Sequence, residues 1–438
     1  MPDHALSDSP AVQAQLDRLT ALSPGRDVLG LERISALCER LGNPQDRLPP
    51  VFHVAGTNGK GSTCAFLRAA IEAAGLTCHV YTSPHLVRFN ERIRIAGKLI
   101  DDDLLAALLA EVLDHAEGLE ASFFEVTTAA AFLAFSRNPA DACILEVGLG
   151  GRLDATNVIA RPAIGGMASL AIDHEGFLLA PEEGVPDMAP LDRIAFEKAG
   201  IAKADVPLVC QKYTPSMLQE VAKQAMRVGA TLLDRGETWD AVSYEGRLHY
   251  RDANGKLNLP LPRMAGPHQA DNAALAIAML RHQSAVIVPE SALAAAMEWT
   301  RWPARMQRLG KGPLMALLPD DAEVWLDGGH NVDAGLALAR HFEGETRRIH
   351  LITGMLANKN PAAIIEPLKA KLASITVLPV RGHEHHGVEA FGHTAVAAPD
   401  IGTAFGRLAV NPSAEIVLIA GTLYLAGEVL KANNQIPV

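Results

Sequence analysis

Cysteine is scarce and scattered in this chain of 438 residues: Cys38, Cys64, Cys78, Cys143 and Cys210 form no CxxC pair. That spacing argues against a zinc or disulfide framework and suits reduced thiols in a cytoplasmic protein. A basic surplus is absent too. The net charge is −11, which argues against a broad nucleic-acid or anionic-membrane surface and leaves any anionic ligand to a few local basic groups. No apolar run reaches membrane-spanning length, and the opening "MPDHALSDSP" has no apolar core of a signal peptide. Repeats and low-complexity tracts are also missing. Cytoplasm is the expected compartment, with neither nucleic acid nor membrane as a partner.

What is present is globular. Hydrophobic residues make up 49% and charged residues 20% of the chain, as in a soluble enzyme, and the length predicts two domains. "LPPVFHVAG" reads as a buried strand running into a glycine loop, and "STCAFLRAAIEAAG" reads as a helix. "TCHVYTS", "RIRIAG" and "DACILEVGLGG" read as further strands among helical segments, which implies a mainly parallel sheet covered on both faces. "LLAPEEGVPDMAP" is expected to be a surface loop and "EGRLHYRDANGKLNLPLP" a small antiparallel hairpin. Past a junction at "TRWPARMQRL", the strands "EVWLDGGHN", "RIHLITGM", "SITVLPV" and "EIVLIAG" predict a smaller second α/β domain. The expected division is 1–298 and 299–438.

The stretch "HVAGTNGKGST" carries the first chemical signal. Between a strand and a helix, its glycines let backbone N–H groups converge on a phosphate at the positive end of the helix. Lys60 can reach the outer phosphates and the Ser62 hydroxyl can face Mg²⁺. The pattern is a variant, because only two residues separate Gly56 from Gly59 and Gly61 stands between Lys60 and Ser62. A nucleoside triphosphate is the expected ligand.

A triphosphate brings Mg²⁺, which takes few ligands from protein and the rest from water and phosphate. Glu146 ends an apolar strand, where ligand-facing residues of open α/β sheets sit. Ser83 in "YTSPHL" reads by itself as a turn serine. His174 in "SLAIDHEG" follows what reads as a short apolar strand. Asp173 beside it is the harder ligand, so residue type leaves the choice between them open. Lys198 lies in apolar company in "FEKAGIAK". Glu197 stands before it, and chemistry alone favours a helix-surface lysine paired with a carboxylate. "HEHH" (His383, Glu384, His385, His386) reads as a solvated loop with no assigned role.

Taken together, "HVAGTNGKGST", "YTSPHL", "NERIRI", "EVGLGGRLDATN", "EKAGI", "HQADNAALA" and "LDGGHN" resemble the folylpolyglutamate synthase and dihydrofolate synthase family. These are ATP-dependent ligases related to the Mur peptidoglycan ligases. The matches run in order over nearly the whole chain, and "GLGGRLDATN" joined to "EKAGI" is the specific part, because Mur ligases lack that pairing. The resemblance implies a P-loop-type nucleotide-binding domain and a C-terminal Rossmann-like domain with the active site in the cleft between them. It implies that Thr57, Asn58, Gly59, Lys60, Gly61 and Ser62 bind the phosphates of ATP. Ser83, Glu146 and His174 look like magnesium ligands. Lys198 matches a lysine that the family carbamylates to support a second metal. Asn272, Arg305 and Asp327 match ATP-holding residues, with His330 beside them. Phe124 and Asp154 match positions at the pterin end of the substrate, and Val28, Leu29 and Gly30 are expected to line the same pocket.

The implied function is ligation of L-glutamate to dihydropteroate, to folates, or to both, with Lys60, His174 and Lys198 as the catalytic residues. ATP, Mg²⁺ at two sites and small-molecule substrates are the implied ligands, and a monomer is expected. A Mur-type ligase is the nearest rival. A nucleotide-binding regulator without catalysis is another, though Lys60, Glu146, His174 and Lys198 are all present. Three departures from the family stand out: Gly329 replaces a usual alanine, Ala304 replaces a usual glycine, and the segment from Gly176 to Asp192 is longer than usual.

Overall fold

The computed structural model describes residues 5–22 and 29–438. They form two compact units. The first comprises the residues up to Pro84, Phe89–Arg263 and Gln269–Thr300; the second comprises His85–Arg88, Met264–His268 and Arg301–Val438. The second unit therefore takes in two short stretches that lie well before the junction in sequence. Packing explains the first of them. Leu86 and Val87 lie against the core of the second unit, Gly427 abuts the Leu86 carbonyl, and Arg88 Nη2 donates to Pro437 O at 3.2 Å.

The first unit is built on eight strands: β1 (Val51–Ala55), β2 (Cys78–Tyr81), β3 (Ile93–Ile95), β4 (Lys98–Leu99), β5 (Ala142–Glu146), β6 (Ile164–Met167), β7 (Pro207–Cys210) and β8 (Thr231–Asp234). Their order is β4-β3-β2-β5-β1-β6-β7-β8. All pairs are parallel except β2–β3 and β3–β4. From β1 the chain goes to one side of the sheet for β2 to β5 and to the other side for β6 to β8. The carboxyl ends of β1 and its two neighbours are thus the place where strand order reverses, and open α/β sheets bind ligands there. Every residue of β1 is buried, as a strand covered on both faces requires.

Local chemistry sets the helices. Ser122 and Glu125 form a reciprocal capping box at the start of Phe123–Ser136, which otherwise buries almost its whole circumference. Asp101 caps Asp102–His115 by accepting from Leu104 N at 2.8 Å.

The strand before His174 lies earlier than the sequence reading placed it. "SLAI" is not a strand; β6 is "IGGM", ending at Met167. Its two glycines have a packing reason, since a Cβ at Gly166 would run into the Met279 side chain and one at Gly165 would lie 3.0 Å from Leu208 Cδ1. The expected hairpin is a three-stranded antiparallel sheet of β9 (Trp239–Tyr244), β10 (Arg247–Asp252) and β11 (Gly255–Pro260).

The second unit has six strands: β12 (Gln307–Arg308), β13 (Val324–Leu326), β14 (Arg348–Thr353), β15 (Leu372–Val377), β16 (Val396–Ala397) and β17 (Glu415–Ala420). Their order is β12-β13-β17-β14-β15-β16, parallel throughout except for β12–β13. No helix among the described residues is long and apolar enough to cross a membrane. All five cysteines are free and buried, and burial pushes the thiols of Cys38, Cys78 and Cys210 up to about 12.

Candidate active site

The glycine loop leaves the carboxyl end of β1 and is pinned from below. Thr57 N donates to Ser169 O at 2.7 Å, while the Thr57 hydroxyl donates to Ala171 O at 2.9 Å and accepts from Ala171 N at 3.1 Å. Gly59 then caps the helix Lys60–Ala73 in a left-handed conformation, φ +84°. Glycine is required there twice over, because a Cβ would also strike Asn272 Oδ1. The first backbone bond of the helix runs from Thr63 N to Gly59 O at 2.9 Å, and no side chain caps this end. The N–H groups of Lys60, Gly61 and Ser62 therefore lack acceptors within the helix, the condition in which a helix start takes up an anion. Lys60 curls back over the loop, its Nζ 3.1 Å from Gly56 O and 3.3 Å from Thr57 O. Asn272, in the helix His268–Arg281, is held by its Nδ2 bond to Gln269 Oε1 at 3.1 Å.

Beside this loop stands Glu146. Strand register pairs Val54 with Glu146, so the carboxylate emerges one strand over from the loop. Glu146 is buried, and its Oε2 accepts from Ser83 N at 3.2 Å. Ser83 follows β2, which pairs with β5 on its other edge. The fold thus brings together two of the expected metal ligands that lie far apart in sequence. His174 is placed differently from expectation: it is exposed, sits seven residues beyond β6 and takes φ +54° at the start of the short helix Glu175–Leu178. Among the described residues, no three His, Cys, Asp or Glu side chains converge in a way that could hold a metal ion.

Lys198 is not a surface lysine. It is buried in the helix Pro190–Ala199, and among the described residues its amine makes no hydrogen bond or ion pair. Desolvation, with repulsion from Lys60, lowers its pKa to about 7. Glu197 does not pair with it. The Glu197 carboxylate is taken by Arg152, through Nε at 3.1 Å and Nη2 at 3.0 Å, and by Arg193 through Nε at 3.0 Å.

These contacts physically join the two most specific motifs. Arg152 N donates to Glu197 O at 2.8 Å. A Cβ on Gly151 would lie 2.9 Å from the carbonyl oxygens of both Glu197 and Lys198. Asn157 Nδ2 bridges Arg152 O and Gly200 O at 3.0 Å each, and Lys203 Nζ donates to Asn157 O at 2.8 Å. Arg152 and Glu197 are thus site-building residues that sequence reasoning missed. Both stand inside those motifs, although nothing in the sequence pairs them.

At the expected pterin end, the Phe124 ring lies directly over Gly148, where a Cβ would overlap it, and 5.9 Å from the Tyr81 ring. Asp154 faces into its own loop. Its carboxylate accepts from Leu149 N at 2.8 Å, Thr156 N at 3.0 Å and the Thr156 hydroxyl at 2.5 Å. Burial nevertheless raises its pKa. The hydroxyl proton of Thr156 goes to Asp154, so the 2.8 Å contact from His53 Nε2 must be a donated N–H. Burial holds the pKa of His53 down at about 3, which keeps the ring neutral. Leu29 and Gly30 are half-buried, while Val28 lies outside the described residues.

In the second unit, Arg305 stands between two left-handed residues, Ala304 at φ +54° and Met306 at φ +44°. Here the family's glycine would be unstrained. Asp327 holds this turn through Met306 N at 2.8 Å and Gly329 N at 2.7 Å, and the Ala304 carbonyl accepts from Gly328 N at 2.9 Å. His330 Nδ1 lies 3.1 Å from Gly328 O. A Cβ at Gly329 would sit 2.7 Å from Ala334 Cβ, which accounts for glycine at that departure. The "HEHH" loop is only partly solvated. His383 packs 4.0 Å from the Tyr424 ring and His386 Nε2 contacts Lys359 O at 2.6 Å, whereas Glu384 and His385 are exposed.

A phosphate-type cradle and a buried carboxylate at the reversal point of a parallel sheet, with a second α/β unit, define a nucleotide-dependent α/β ligase architecture. Comparison with known proteins narrows this class. The chain is 36% identical over 358 residues to the dihydrofolate synthase/folylpolyglutamate synthase of Escherichia coli (strain K12), covering 81% of this chain and 78% of the relative. It superimposes on the structure of E. coli FolC in complex with DHPP and ADP with a TM-score of 0.85, at 31% identity and 97% coverage of both chains. A bifunctional folylpolyglutamate synthase/dihydrofolate synthase with Mn, AMPPNP and L-glutamate bound aligns with a TM-score of 0.83 at 29% identity, covering 98% of this chain and 99% of the other. No family model matches the chain. The chain belongs to the dihydrofolate synthase/folylpolyglutamate synthase family of ATP-dependent ligases.

Proposed function

We propose that this protein joins L-glutamate to dihydropteroate and to folate glutamates, with ATP activating the acceptor carboxylate. The observation that carries this reading is the uncapped start of the helix Lys60–Ala73 beside Ser83 and the buried Glu146. An anion at that helix start meets three outward N–H groups and Lys60, with a carboxylate one strand away for a hard cation.

A carboxylate is a poor acyl donor. Its oxygen attacks the γ-phosphorus of ATP, the bond to the β–γ bridging oxygen breaks, and ADP leaves an acyl phosphate. The glutamate amine then attacks the acyl carbon, phosphate departs, and the amine gives up a proton as the amide forms. Residues 57 to 62 bind and orient the triphosphate in this scheme. Lys60 releases its loop carbonyls to neutralise charge on the transferring phosphoryl group. Asn272 positions the loop by packing on Gly59, and the resemblance implies Arg305, Asp327 and His330 as further nucleotide contacts. Phe124, with Leu29 and Gly30, receives the pterin end, and Asp154 shapes the turn beside it.

Ser83 and Glu146 offer hard oxygens that suit Mg²⁺, which takes its remaining ligands from water and phosphate, and His174 on its exposed turn is a further candidate ligand. Bound there, the cation would neutralise phosphate charge. Lys198 is suited to carbamylation. With a pKa of about 7, roughly half its amine is unprotonated and nucleophilic at neutral pH. Addition of the neutral amine to CO₂ forms an N–C bond, releases one proton and leaves a buried carbamate anion able to support a second metal.

The test is an ADP-release assay with dihydropteroate or tetrahydrofolate, each with and without glutamate. Release that needs both the pterin and glutamate is expected. Release with UDP-muramoyl substrates alone, or with none of these, would overturn the reading.

A further inference from the structure

The segment between His174 and the helix Pro190–Ala199 is mostly exposed. Two of its side chains reach the rest of the unit. Leu178 is buried over Gly150, where a Cβ would lie 3.0 Å from Leu178 Cδ2. Glu182 Oε2 accepts from Arg152 Nη2 at 2.5 Å and from Arg193 Nη2 at 3.1 Å. Among the described residues, no other side chain from 175 to 189 makes an ion pair or a side-chain hydrogen bond. Both anchors land on one target, the turn Gly148–Asp154: Leu178 on Gly150 and Glu182 on Arg152.

The charges explain why Glu182 is held. Arg152 and Arg193 flank the Phe196 ring at 5.3 and 5.5 Å and share the buried Glu197 carboxylate between them. One carboxylate leaves this pair of guanidiniums with one positive charge in excess. Glu182, with its side chain 39% exposed, supplies the missing anion from the solvent side. The exposed segment is therefore tied to the most buried ion network of the site.

We propose that residues 175–189 form a strap, latched by Glu182, that fixes the turn Gly148–Asp154 and so sets the affinity for the pterin end of the substrate. The turn carries Gly148, over which Phe124 lies, and Asp154, whose hydrogen bonds give the turn its shape. Releasing the strap lets the turn shift under the Phe124 ring while the glycine loop, which is pinned separately to Ser169 and Ala171, stays in place. Glu182 is a positioning residue in this scheme. The inference rests on the proposed function in assigning the pterin end to Phe124 and this turn.

The experiment compares wild type, Glu182→Gln, Glu182→Asp and Leu178→Ala in steady-state kinetics with dihydropteroate, ATP and glutamate, alongside limited proteolysis. In Glu182→Gln, cleavage within 175–189 should be accelerated at least fivefold. The KM for dihydropteroate should rise about tenfold, with kcat and the KM for ATP within twofold of wild type. Leu178→Ala should reproduce the KM effect, and Glu182→Asp should restore part of it. Accelerated cleavage with an unchanged dihydropteroate KM would overturn the proposal, as would a fall in kcat with every KM unchanged. A wild-type protein that turns over no pterin substrate would instead refute the proposed function, and the proteolysis arm would still report on the latch.

Discussion

Replacing Lys198 with methionine removes an amine whose charge the fold disfavours, and the size of that constraint can be measured. In the unfolded chain the lysine titrates near 10.5; in the folded protein burial and Lys60 bring it to about 7. The gap disfavours the buried ammonium by about 5 kcal/mol. Between these two values the unfolded chain holds a proton that the folded protein has given up, so stability must rise with pH across the window. From pH 7 to pH 9 the linkage amounts to about 2 kcal/mol, and the rest follows as pH approaches 10.5. The assay is urea unfolding of wild type and Lys198→Met by circular dichroism at pH 7, 8 and 9, with chelator and without CO₂. Other groups titrate alike in both proteins, so the difference isolates Lys198. Wild type should gain on the variant by about 2 kcal/mol over this range. Parallel pH curves would refute the claim that this lysine is desolvated, and with it the case for carbamylation at neutral pH.

Three other substitutions probe the site. Lys60→Ala should abolish ADP release while leaving the circular dichroism spectrum unchanged, since the half-buried Nζ contacts only two loop carbonyls; substantial residual ligase activity would remove Lys60 from its role. Glu197→Gln leaves two guanidiniums facing an amide in a buried network and should lower stability by about 3 kcal/mol, read as a fall of several degrees in Tm; an unchanged Tm would contradict the network. Gly329→Ala should cost about 1–3 kcal/mol through its clashes with Ala334 Cβ and Asp327 Oδ1, and adding Ala334→Gly should recover part of that loss, so a strictly additive double mutant would contradict the contact.

The strands with nearly continuous apolar runs, such as "VFHVA" and "EIVLIA", were legible because burial on both faces leaves few polar positions. "IGGM" was not, because glycine usually punctuates a chain. Only the tertiary packing of Met279 and Leu208 on that strand explains its two glycines. In the same way, Lys60 could be read from the glycine loop that opens its helix, and Glu146 from its place at a strand end. The pairing of Glu197 with Arg152 could not, since it spans 45 residues and depends on how a turn meets a helix. The surface-lysine reading of Lys198 failed for that reason: its neighbouring carboxylate was already engaged elsewhere.

The distribution of cysteine has a practical consequence. All five thiols lie in the first unit, each shielded and held far from its reactive thiolate form. An alkylating reagent should pass over the native enzyme and label it only when that unit opens. The second unit carries no thiol, so mass-resolved alkylation along a denaturant series would time the loss of the nucleotide-loop half without interference from the other.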